Sequence, residues 1–169
     1  MFPRAASFVV AARVIEREVL QDPRDRDRPA RLRFDALAAR GNIQVTSLGE
    51  PAMTRFVDLA FDMDDGEAAT IALAEQVNGT AVLDDGPARK ANGLSHVPLE
   101  WTVDVLLHER VRAALGRAAL AEAVYNALRL GRMRVPEQAW HEVIGLVGVE
   151  RARACPSLPR RAFRHVGLR

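Results

Sequence analysis

Between Met63 and Lys90 the chain reads MDDGEAATIALAEQVNGTAVLDDGPARK, and its acids stand where chemistry can be done. Asp64 and Glu67 lie at the start of a helical pattern, and Asp84 and Asp85 at the end of an apolar β-type run. Carboxylate oxygens in such a set suit a hard divalent cation, Mg2+ or Mn2+, because these ions prefer oxygen and the acids offset their charge. In an open α/β sheet ligands bind outside the carboxyl ends of the strands, so the aspartate pair and the helix-start acids are expected to face one crevice. A plainer reading accounts for the same residues. Asp64 with Glu67 three positions on is a capping box, and Asp85 before Gly86-Pro87 is an N-cap with proline in the first turn, each contributing about 1 kcal/mol to its helix. Both readings stay open on residue type alone.

The elements that position these acids follow from periodicity. Ala68, Ile71, Ala72 and Ala74 recur at helical spacing, so a helix begins at the acids and ends at Asn78-Gly79. Thr80 to Leu83 is a short β-type run of the kind buried on both faces of a parallel sheet. Upstream, Phe8 to Val10 reads as a strand and Arg13 to Leu20 as a helix. QDPRDRDRPAR (residues 21–31) is a charged loop, Arg33 to Arg40 a helix stopped by Gly41-Asn42, and Ile43 to Thr46 a strand. Pro51 to Phe61 is a helix expected to place Phe56, Val57, Leu59 and Ala60 in the core. Downstream, Ser95 to Val97 is a strand, and Glu100 to Leu115 a helix that Gly116 separates from Ala119 to Leu130. Pro136 opens a last helix, Glu137 to Leu146, with Trp140 and Trp101 as core anchors. Strands alternating with helices imply an α/β fold with a parallel sheet between helical layers.

Composition narrows the classes. The chain has 169 residues, 49% of them apolar and 27% charged, an ordinary globular mixture. A lone Cys155 excludes a disulfide framework and a cysteine zinc site, and the four histidines have no metal-ligand spacing. There is no P-loop, G-x-G-x-x-G or G-x-S-x-G pattern. No apolar run is long enough to span a bilayer and no signal peptide is recognisable, which points to a cytoplasmic protein without a membrane partner. Basic and acidic residues number 24 and 22, but six arginines and no acid follow Glu150. That tail, residues 151–169, is expected to be disordered and either solvated or in contact with phosphate.

The ordered set of motifs resembles the PIN-domain family. Met63-Asp64-Asp65-Gly66-Glu67-Ala68 matches its hydrophobic-acidic-x-GEA helix start, and Val82-Leu83-Asp84-Asp85 its strand ending in paired acids. Ala88 to Ala91 is similar to its short Ala/Arg-rich helix, and Val97-Pro98 with Trp101 to Leu107 to its last strand and following helix. Phe8 to Val10 and Ile15 to Leu20 resemble its second strand and the helix after it, so the match runs from about Phe8 to Leu146.

The resemblance implies a three-layer α/β/α PIN-like domain over residues 1–150 and metal-dependent hydrolysis of a phosphodiester in RNA. Asp85, Glu67 and Glu18 are then the catalytic and metal-binding acids, with Asp64 and Asp84 as supporting carboxylates and Mg2+ or Mn2+ as the ion. RNA, a cognate antitoxin and a second copy of the chain are the implied partners. The family's first strand, central in its sheet and ending in aspartate, has no counterpart here, because no aspartate precedes Asp22. An upstream in-frame segment is therefore expected to supply it. The alternatives are a non-catalytic, N-terminally truncated PIN-like module that binds nucleic acid or protein, and a small structural protein with well-capped helices.

Overall fold

The computed structural model describes residues 8–18, 30–86, 89 and 96–164, with residues 16–18 and 30–32 described by their backbone alone. It divides into two units, one of Met1–Ala81 with Pro87–Pro98 and one of Val82–Gly86 with Leu99–Arg169. The chain is mixed α/β and mostly helical, with two short parallel two-stranded sheets among the described residues.

The first unit is assembled around a helix of small side chains. Strand β1 (Phe8–Ala11) leads directly into α1 (Ala12–Glu18), and α2 (Ala30–Ala39) leads through Gly41-Asn42 into β2 (Ile43–Thr46). β1 and β2 pair in parallel, with Phe8 opposite Ile43 and Ala11 opposite Thr46, as a helical crossover requires. Helices α3 (Glu50–Leu59) and α4 (Asp65–Gln76) follow. Ala68, Ala69, Ala72 and Ala74 of α4 are buried beside Ile71 and Leu73, and side chains this short let α1 and α3 pack closely against its backbone. Ile15 comes in from α1 and Phe56 and Leu59 from α3. Burying Ile71 completely is worth about 1.5–3 kcal/mol, so the apolar face of α4 is the main stabilising surface of this unit. Val57, expected in the core, is half exposed, because the buried stripe of α3 runs through Ala52, Phe56 and Leu59 and leaves it on the opposite side.

Strand β3 is Ala81–Val82 and β4 is Leu99–Glu100. The Ala81 N–H donates to Pro98 O at 2.9 Å and the Leu83 N–H to Glu100 O at 3.0 Å, donors and acceptors rising together as in a parallel pair. The strand expected over residues 95–97 thus lies three to four residues later, with Val97 buried just before it.

The second unit is helical. Helix α5 (Thr102–Leu107) ends at His108, whose extended backbone (ψ 139°) breaks the single helix expected from Glu100, and α6 (Glu109–Arg129) starts immediately after it. Gly116 interrupts α6 at φ 69°, ψ 165°, a conformation open essentially to glycine alone. Beyond it Leu120, Val124 and Leu128 form a buried i, i+4, i+8 stripe. A 3-10 turn, Glu137–Ala139, opens α7 (Trp140–Val147), whose Trp140, Val143, Ile144 and Val147 are buried in the same core as that stripe. The Trp140 indole N–H donates to Val135 O at 3.0 Å, so this buried ring keeps a polar partner.

The arginine-rich segment differs from the expected disordered tail. Val149–Arg153 forms α8 and Arg160–Phe163 a 3-10 turn, and Ala152, Cys155, Leu158 and Ala162 are buried in the core of this unit. Apolar residues interleave the arginines, and the arginines lie on aromatic rings at its surface. Arg151 sits 3.9 Å from the Tyr125 ring centroid and Arg161 5.2 Å from that of Trp140. Arg151 also grips Glu122 through two hydrogen bonds, of 2.6 and 2.9 Å, which hold the Glu122 carboxyl below its usual range. Residues 165–169 lie outside the described residues.

Candidate functional site

The expected acids divide between the two units. In the first, Asp64 occupies the N-cap position of α4 with extended backbone (φ −65°, ψ 152°) but makes no side-chain cap hydrogen bond, so the capping box read from the sequence does not form. Asp64 is exposed, and Glu67 is partly buried in the first turn of the same helix. Between them in sequence, Asp65 accepts from Arg13 Nη2 at 2.7 Å, while the Arg13 guanidinium lies 4.6 Å from the Phe56 ring centroid. That contact ties α1 and α3 to the start of α4. Glu18 is the last residue of α1, and its side chain lies outside the described residues.

In the second unit Asp84 and Asp85 come after β3 and Leu83 and are both partly buried. Their side chains have different tasks. Asp84 Oδ1 accepts the Thr102 N–H at 2.9 Å, satisfying one of the backbone donors left open at the start of α5. Asp104 accepts the Trp101 N–H at 2.9 Å, so two carboxylates from different parts of the chain cap this helix. Asp85 Oδ1 instead receives Arg134 Nη1 at 2.6 Å. The cap at Thr102 and the arginine at Asp85 were not read from the sequence. Asp84 and Thr102 are 18 residues apart and Asp85 and Arg134 are 49 apart, and no local pattern announces pairs at such separations.

The donor chemistry suits a hard divalent ion of the Mg2+ type, which keeps most of its waters and takes only one or two protein carboxylates besides substrate phosphate. Asp85 is partly exposed and has oxygen donors of this type, one of them paired with the Arg134 guanidinium. Among the described residues no three His, Cys, Asp or Glu side chains converge, so they offer no closed cage of the kind a structural metal needs.

A family model described as DUF3368, a PIN domain, matches residues 2–149. The chain belongs to the PIN-domain family. PIN domains are typically nucleases and commonly bind divalent metal ions. No curated protein and no solved structure matches the chain. The matched span of this PIN domain includes every expected site acid and ends at Val149, the first residue of α8. Among the described residues no helix is long and apolar enough to cross a membrane.

Proposed function

We propose that this PIN-domain protein is a divalent-metal-dependent ribonuclease in which Asp85 and Glu67 are metal-binding carboxylates, with Glu18 as a third and Asp64 and Asp84 in support. The observation that carries the reading is the division of labour at the end of β3. Asp84 is committed to the backbone of α5, while its neighbour Asp85 presents an oxygen anion to an exposed cationic side chain, that of Arg134. The lack of a side-chain cap bond at Asp64 supports a use for that acid other than capping.

A bound Mg2+ or Mn2+ ion would supply Lewis-acid stabilisation of the phosphate and a more acidic water. The chain's own residues do the rest. Asp85 offers an ion a partly desolvated oxygen, and Asp84 fixes the backbone that presents it by holding Thr102. Glu67 presents its anion from the first turn of α4. RNA as substrate, a cognate antitoxin and self-association belong to the same proposal and rest on the family.

Calorimetric titration with Mn2+ tests it. Asp85→Asn and Glu67→Gln each remove an anion and are expected to lower Mn2+ affinity by at least about tenfold and to abolish cleavage of single-stranded RNA, with the melting temperature little changed. Unchanged Mn2+ affinity together with a lower melting temperature would return both acids to a structural role and favour a non-catalytic module.

A further inference from the structure

Arg134 lies in a segment that alternates. Arg132 is exposed, Met133 buried, Arg134 exposed and Val135 buried, while the Met133 N–H donates to Ala127 O at 3.0 Å and fixes the segment to the end of α6. Two buried side chains thus flank Arg134 and anchor its backbone, although its own side chain is 61% exposed. An exposed arginine that merely aids solubility needs no such anchoring. The anchored backbone delivers the guanidinium to Asp85 Oδ1 at 2.6 Å, against a carboxylate side chain 31% exposed.

A guanidinium and a divalent cation compete for the same oxygen anion, and a guanidinium displaced from a carboxylate matches phosphate oxygens in geometry and charge. We propose that Arg134 is the substrate-phosphate ligand of this site and that it exchanges partners: it neutralises Asp85 when no metal is bound and moves to the RNA phosphate when the metal takes the carboxylate. The exchange keeps Asp85 paired in both states, which avoids leaving a partly buried anion without a counter-charge. It rests on Asp85 being a metal-binding residue.

The experiment uses the full chain with Mn2+ alone and then with a short single-stranded RNA. Arg134→Gln removes the competing cation, so Mn2+ is expected to bind about two- to fivefold more tightly, the range that follows from the worth of an exposed ion pair. The same variant should raise the KM for RNA several-fold and lower the slope of log affinity against log salt by roughly 0.7, the value for one phosphate contact on a single strand. Arg134→Lys keeps the charge and should recover the salt slope but only part of the KM. Mn2+ binding that is unchanged or weaker in Arg134→Gln, while Asp85→Asn loses it, overturns the exchange and leaves the metal site standing. Mn2+ binding that is indifferent to Asp85→Asn overturns both.

Discussion

At the scale of single residues, neighbouring aspartates of one type differ in what they hold. Asp84 stands in for the N-cap side chain of α5, since the indole of Trp101 at the N-cap has no acceptor oxygen. Asp84→Ala should therefore lower stability by about 0.5–2 kcal/mol, read from the urea midpoint, whereas Asp84→Asn keeps an acceptor oxygen and should retain most of it. Equal losses in the two variants would mean that charge, not the hydrogen bond to Thr102, is what matters there. The aspartate pair was legible in the sequence because strand ends and helix starts are marked by local composition. Its partners were not, since Thr102 and Arg134 are brought to it by the fold and carry no mark of that use.

At the scale of elements, most strands and helices were legible where apolar residues repeat and glycine or asparagine stops the pattern. Ile43–Thr46 and the helix beginning at the acids came out at their observed positions. Boundaries failed where no side chain marks them. The break at His108 has neither glycine nor proline, and is visible only in the backbone angles. Val57 was misplaced because Phe56, Val57, Leu59 and Ala60 form a nearly continuous apolar run, and hydropathy alone does not say which side of such a run faces inward. Gly131 shows how little room an element end leaves: a Cβ there would come within 2.7 Å of Ala127 O, a backbone atom that cannot swing aside. Gly131→Ala is expected to cost about 1–3 kcal/mol in thermal or urea unfolding, as overpacking does, and a neutral result would mean that the end of α6 gives way at no cost.

At the scale of the whole molecule, the arginine-rich segment belongs to the folded part of the second unit through residue 164. Net charge and the absence of acids suggested otherwise, and a charge count is blind to Ala152, Cys155, Leu158 and Ala162 placed between the arginines. Burial pushes the Cys155 thiol above its ordinary pKa, as expected of a sulfur that packs rather than reacts. Ending the chain after Glu150 would uncover the core around Leu120, Val124 and Leu128. The truncated protein should lose at least several kcal/mol of stability and expose apolar surface to a hydrophobic dye, because each large side chain uncovered forfeits about 1.5–3 kcal/mol. A truncated protein with an unaltered melting temperature would show the segment to be an appendage after all.

The alternation of Arg132, Met133, Arg134 and Val135 also sets a limit on how this region can vary in length. Surface loops ordinarily tolerate insertions and deletions, but here a residue added or removed between Met133 and Val135 would pull one of the two buried anchors out of its place in the core. The spacing of the two anchors thus fixes the length of this stretch, and variants lengthened or shortened between them should melt lower than variants altered in length on an unanchored surface loop.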